Sequence, residues 1–358
     1  MNKKRFIGIA LIVLIPLVIY YYFNKNEIRI IPKETVKIGT ILPLTGNISF
    51  LGKAGKNGLE FAEYYFNEKI ESKYHYEFIY EDGLGKPSNS ISAYNKLTGS
   101  DKVNAVFSII SAVDLSLIPL QKKSEILFFS HSSHPALTNV DKYFYRHSNT
   151  VNQEANFISN FLGEFDNICL LSMNDEYGVA FSEALKEKLN FRMMPTIFFE
   201  KGETNFTTIA TKSISSNPDL IIVCGAGGNM ANLPIKLREL GFSGEIYTTL
   251  AYAASGAIKN SKSLKGLNMV NLLPFEPNSD FSQYMQEYEK QNNTKLGTFD
   301  IIFFNSAFIL FTSMNQVGND KESIVEYISS NSSFSVIGGN IMITKENNIL
   351  PNLELIKQ

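Results

Sequence analysis

The sequence predicts an α/β protein of two parallel-sheet lobes, with a membrane-spanning segment ahead of them. Three observations carry this. The chain has 358 residues, beyond the roughly 250–300 at which a single hydrophobic core stops growing. Short apolar, β-branched runs alternate with helix-period segments, first in one half of the chain and then again in the other. Finally, Lys3, Lys4 and Arg5 precede an uncharged apolar and aromatic run from Phe6 to Phe23.

After a short segment of residues 1–5, the run at 6–23 reads as a transmembrane anchor or uncleaved signal. A cleavable signal has an apolar region of about 7–15 residues and small residues at the cut. This run is longer and ends in Tyr20-Tyr21-Tyr22-Phe23, and no cysteine for lipidation stands after it. It reaches the ~18 apolar residues of a bilayer helix, where Pro16 is tolerated. Lys25, Arg29 and Lys33 nearly balance the leading cations. Orientation therefore rests on the shortness of the leading segment and on the ease with which long domains translocate, which places the body outside the cytoplasm. A cleaved signal is the alternative. Residues 24–35 are polar and aperiodic, as a tether would be.

Val36–Leu42 is a strand candidate, and Leu59, Ala62, Tyr65 and Phe66 then recur at helical spacing. Strand-like runs follow at Tyr76–Tyr80, Ala105–Ile110 and Ile126–Phe129, separated by helical patterns near Asn89–Leu97 and Asp114–Lys123. A second series has strand candidates at Ile168–Leu171, Thr196–Phe199, Leu220–Cys224 and Ile246–Thr248. Its helical patterns lie near Phe181–Leu189, Phe206–Ser215 and Ala231–Leu240. Such βα alternation implies parallel sheets with helices on both faces. Beyond it, Phe281–Gln316 is helical in pattern, and Asn340–Thr344 and Leu353–Ile356 are strand candidates.

Composition narrows the function. A net charge of −2 provides no basic field for phosphate backbones, so no nucleic-acid partner is expected. Cys169 and Cys224 each sit in an apolar run and read as buried thiols, not as a disulfide or metal framework. His131 and His134 have no carboxylate or thiol at ligand spacing, so no metal is expected. Gly225-Ala226-Gly227-Gly228 follows a strand, but the last glycine of a dinucleotide fingerprint falls on Met230. There is no P-loop, HExxH or GxSxG, and no nucleophile–base–acid set. Neither a cofactor nor catalysis is expected.

Strand ends of open parallel sheets face a crevice where ligands bind, so the residues after each strand matter most. Pro43-Leu44-Thr45-Gly46 with Gly52, Gly55 and Gly58 reads as a ligand-approaching helix start or as a turn that packs. Ser111-Ala112-Val113-Asp114 fits a capping box or a binding loop. Ser130-His131-Ser132-Ser133-His134-Pro135 is a hydrogen-bonding loop.

These residues together resemble the leucine/isoleucine/valine-binding family of type I periplasmic solute-binding proteins. The likeness lies in Val36-Lys37-Ile38-Gly39-Thr40-Ile41-Leu42-Pro43-Leu44-Thr45-Gly46, followed by Gly52, Gly58, Ala62 and Asn67. Tyr80-Glu81-Asp82 with Pro87, and Asp175-Glu176-Tyr177-Gly178, extend it. The resemblance implies two Rossmann-like lobes joined by three hinge segments, residues 36–147 with 275–350 and residues 148–274 with 351–358. It implies a small polar ligand, an amino acid, amide or related metabolite, held in the interlobe cleft for delivery to an ABC permease. It also implies ligand contacts at Ser111, Ala112, His131, Ser132, Ser133 and Tyr177, and at Leu51, Ala226 and Leu250. Two departures stand out. By the resemblance, the acid that pairs with an amino acid's ammonium group falls near Leu250, in Thr248-Thr249-Leu250-Ala251-Tyr252, where no carboxylate exists, and the anchor is unlike the freely diffusing or lipidated forms. The second departure raises a sensory ectodomain, working through a sensor partner in the membrane, as the alternative to transport.

Overall fold

The computed structural model describes residues 33–163, 165–255, 266–273 and 279–357. The run Phe6–Phe23 and most of the tether expected after it lie outside the described residues. Among the described residues no single helix is long and apolar enough to cross a membrane.

The first series of βα units forms one sheet from β1 (Glu34–Leu42), β2 (Tyr74–Asp82), β3 (Ala105–Ser108), β4 (Leu127–Ser130) and β5 (Phe144–His147). The second forms another from β6 (Ile168–Met173), β7 (Ile197–Phe199), β8 (Leu220–Cys224), β9 (Glu245–Thr248) and β10 (Leu267–Leu272). A hairpin of β11 (Ser333–Val336) and β12 (Gly339–Met342) stands apart from both. The last two strands are divided between the sheets: β13 (Asn348–Ile349) lies beside β5, and β14 (Leu353–Lys357) beside β10. The orders are therefore β13-β5-β4-β3-β1-β2 and β14-β10-β9-β8-β6-β7, the same winding used twice. The chain crosses between the sheets after β5, after β10 and after β13.

The central strands are buried on both faces, which is why they read as unbroken apolar runs. In β8, Leu220, Ile222 and Cys224 enter one core and Ile221 and Val223 the other. In β4, Leu127 and Phe129 face one core and Phe128 the opposite one. The two cysteines are free and buried on opposite faces of the second sheet.

The helices that matter for the site are α1 (Ser49–Tyr64), α2 (Pro87–Lys96), α3 (Ser111–Ser124), α4 (Val151–Ser159) and α5 (Glu176–Leu189). They are followed by α6 (Thr207–Ser215), α7 (Asn232–Glu239), α8 (Leu250–Ala254), α9 (Ser279–Gln291), α10 (Thr298–Val317) and α11 (Lys321–Ser330). Helix α10 serves both lobes, with Phe303 and Phe304 in the first-lobe core and Ile302 in the second. The glycines of α1 exist for packing. A Cβ on Gly58 would stand 1.9 Å from the Asp300 carbonyl oxygen, and one on Gly52 2.2 Å from that of Pro43.

Several expectations change. The helical stretch expected over Phe281–Gln316 is two helices, α9 and α10. The strand expected at Asn340–Thr344 belongs to the small hairpin instead of a lobe sheet. Ser111 is the first helical residue, not the N-cap: that place belongs to Ile110, at φ 95°, with no side-chain cap. Asp114 does not reach back to close a capping box.

Candidate functional site

Both sheets point strand ends at one cavity of about 130 Å³. From the first lobe come Ile109 and Ile110 after β3, Ser111 and Ala112 at the start of α3, the loop after β4 (His131, Ser132, Ser133) and Ile48 and Leu51. The second lobe contributes Met173, Asp175, Glu176 and Tyr177 after β6, Lys201 after β7, Ala226 after β8, and Leu250 and Ala251 after β9. Phe299 of α10 completes the wall. All nine residues expected from the sequence therefore border one space, whereas Gly52, Gly55 and Gly58 do not.

The first-lobe wall is built around a buried acid. Asp114 Oδ2 accepts from the hydroxyls of Ser130 at 2.6 Å and Ser132 at 2.5 Å, which fixes the loop after β4 against α3. Burial pushes the Asp114 carboxyl up to about 6, against the pull of these serines. Ser133 shares a hydrogen bond with Ser148 at 3.1 Å, so its hydroxyl is already engaged. At the start of α3, by contrast, the N–H groups of Ser111 and Ala112 and the Ser111 hydroxyl have no hydrogen-bond partner among the described residues. The first N–H groups of a helix lack intrahelical acceptors, and here they border the cavity.

His131 forms the floor. Its ring stacks on Phe303 with centroids 3.7 Å apart. The Ser108 carbonyl can only accept, which puts the proton on His131 Nδ1 at 3.3 Å, and Nε2 lies 3.0 Å from the Ser306 hydroxyl, whose proton is shared with the Ile302 carbonyl at 3.2 Å. His147 Nδ1 then donates to the same Ser306 oxygen at 2.8 Å. Burial drives His131 down to about 3 and His147 well below the usual histidine range, so both rings are neutral. His134 lies off this cavity and accepts from the Ala136 N–H at 3.2 Å. Among the described residues no group of three potential metal ligands occurs.

The second-lobe wall hides an acid that the sequence reading missed. Glu154 of α4 is 1% exposed, and it accepts from the Tyr177 hydroxyl at 2.8 Å and from the Leu250 N–H. Leu250 thus brings no side-chain carboxylate, as expected, but its backbone holds one. Burial pushes Glu154 up to about 7 against these two hydrogen bonds. A signal for it was present: Val151, Glu154, Ala155 and Ile158 make one helical face, and a lone acid on an apolar face is conspicuous. Asp175 caps α5 through the Gly178 N–H at 2.8 Å and also borders the cavity.

The sequence matches the Periplasmic binding protein family over residues 35–352. The Leu/Ile/Val-binding protein BraC3 of Rhizobium johnstonii is 24% identical over 219 residues, 57% of this chain and 58% of that protein. The match thus spans less than two thirds of that relative. The branched-chain amino acid transporter substrate binding protein LivJ of Streptococcus pneumoniae, solved with isoleucine, superimposes with a TM-score of 0.80 at 16% identity, covering 91% of this chain and 96% of its own. An ABC transporter solute binding protein from R. palustris, solved with benzoate, gives 0.77 at 15% identity over 90% of this chain and 92% of its own. These relatives are binding proteins, not enzymes, and at such identities the structural likeness establishes the fold. With its two parallel-sheet lobes and a family match across nearly the whole described body, the chain belongs to the Periplasmic binding protein family.

Proposed function

We propose that the chain binds one small carboxylic acid, an amino acid or an aromatic acid, in the interlobe cavity and delivers it to an ABC permease outside the cytoplasm. The observation that carries this is the cavity itself, bordered by strand ends of both lobes. Unpartnered N–H groups at the start of α3 and the Ser111 hydroxyl suit a carboxylate, and Ile48, Leu51, Ile109, Leu250 and Phe299 suit an apolar remainder. The known ligands of similar structures, isoleucine and benzoate, have this makeup. Ser133 is the weaker donor because Ser148 already engages it. Closure of the lobes over the acid would be a hinge motion at the crossings.

A thermal-shift screen of amino acids, their deaminated counterparts and benzoates on the full-length chain tests this, since a ligand that binds only the folded state raises its melting temperature. At least one acid should raise it in a concentration-dependent way. No shift across the set would refute the proposal.

The run Phe6–Phe23 is proposed to stay attached as an anchor, which also keeps the sensory reading in view. N-terminal sequencing of the exported protein should find residues upstream of Phe23. A mature end beyond Phe23 contradicts the anchor.

A further inference from the structure

Core packing accounts for the methylenes of Glu154 but not for its carboxylate. A buried carboxylate is ordinarily matched by a cation or by a full set of hydrogen bonds. Here its partners are one phenol hydroxyl and one backbone N–H, and no described cation pairs with it. Both partners, Tyr177 and Leu250, are themselves cavity wall, so the carboxylate stands directly behind that wall.

The two walls also differ in electrical character. The first lobe offers hydroxyls and the start of α3, and its acid, Asp114, is turned inward to Ser130 and Ser132. The second lobe brings Asp175 and Glu176 to the surface of the cavity with Glu154 behind them, and Lys201 at the edge is its only cavity-bordering cation among the described residues. A ligand negative at one end and positive at the other fits this arrangement. A simple carboxylate fits only half of it.

We propose that Glu154 is a specificity-determining residue of this cavity, favouring an acid that carries an ammonium group over the same acid without one. The inference rests on the reading of the cavity as a carboxylic-acid site and names the class, a zwitterionic amino acid. Glu154 acts from behind Tyr177 and Leu250 through its charge and not by touching the ligand. Because burial holds it near neutrality in the range where it titrates, an incoming ammonium draws it into the ionised form and a proton is released.

The neighbouring groups are separable. Tyr177 on α5 and Cys224 on β8 face the carboxylate and are held protonated by burial, well above their usual ranges. The Thr249 hydroxyl ahead of α8 does not ionise. Asp175, raised by burial, stands at the cavity with Glu176 and Lys201. Across the cavity His131 is neutral, His134 beyond it is lowered by burial, and Asp114 behind Ser132, at about 6, titrates nearby. Only a variant at residue 154 isolates the effect.

The test is calorimetry on the full-length chain from pH 5.5 to 8, in buffers of differing protonation enthalpy. The probes are leucine, isoleucine and phenylalanine, their deaminated partners 4-methylpentanoate, 3-methylpentanoate and 3-phenylpropanoate, and benzoate. Wild type should bind the amino acid of a pair at least about ten-fold more tightly, with the preference growing as pH rises through about 7 and proton release at lower pH. Glu154→Gln should shrink the preference to within about three-fold and remove its pH dependence. Tyr177→Phe keeps the carboxylate but removes a donor, so the midpoint should move upward, which guards against a Glu154→Gln that fails to fold. An unchanged or equally pH-dependent preference in Glu154→Gln, a wild type without preference or pH dependence, or an unmoved midpoint in Tyr177→Phe overturns the role of Glu154 while the cavity reading stands. A wild type that binds none of these acids overturns the cavity reading, and this inference with it.

Discussion

At the scale of single residues, burial sets the chemistry of the cleft. His131 accepts a proton readily in the unfolded chain but not in the core, where its ring lies between Phe303 and two hydrogen bonds. Its folded value, about 3, is below the unfolded 6.5, so the unfolded state binds the proton first. Stability is therefore complete above about 6.5 and declines as pH falls toward 3, by up to on the order of 5 kcal/mol for this ring. Asp114 and Glu154, raised to about 6 and 7, work the opposite way, losing stability as pH rises above the usual carboxylate range. Denaturant titrations of wild type and His131→Asn between pH 3 and 7 separate the terms, since the carboxylates are common to both. The stability gap between the two proteins should narrow as pH falls; a constant gap would mean that His131 does not govern this range. The cleft residues are legible where they stand directly after strands, as Ser111 at the start of α3 and Ser132 in the loop after β4 do. The apolar face of Val151, Ala155 and Ile158 marks Glu154 as an acid out of place, but its position behind Tyr177 depends on how α4 packs against α5 and meets the start of α8, which spacing alone does not report.

At the scale of elements, legibility followed burial. Central strands such as Leu220–Cys224 are apolar on both faces, and here the apolar run and the strand share both ends. Strands β5 and β10 lack that signature. Phe144–His147 carries Arg146 and His147, both buried, and Leu267–Leu272 carries two asparagines, so neither resembles an apolar run. The two-residue β13 has no sequence signature at all and exists only because β5 offers an edge. The start of α3 misled for a related reason. Ser111 and Asp114 have capping-box spacing, but the three serines around Asp114 offer hydrogen bonds across space, and the carboxylate serves Ser130 and Ser132 instead. The glycines of α1 looked equally suited to a ligand or to packing, and the carbonyls of Pro43 and Asp300 decide for packing.

For the whole molecule, the doubling of the fold was legible because βα alternation is a local pattern repeated along the chain. The return of the last strands to different sheets was not, since it depends on which edge each one meets. That interleaving places two equivalent strand-end crevices face to face, and the cavity lies between them. The central claim is that this cavity is where the acid binds. It is tested most directly by filling it: Ala226→Phe places a ring in the second-lobe wall, at a loop position outside the strands. Calorimetry with whichever acid raises the melting temperature of wild type should show one site per chain, weakened at least about 100-fold in a folded Ala226→Phe, or ~2.7 kcal/mol. Equal binding by the two proteins would place the ligand elsewhere and contradict the account.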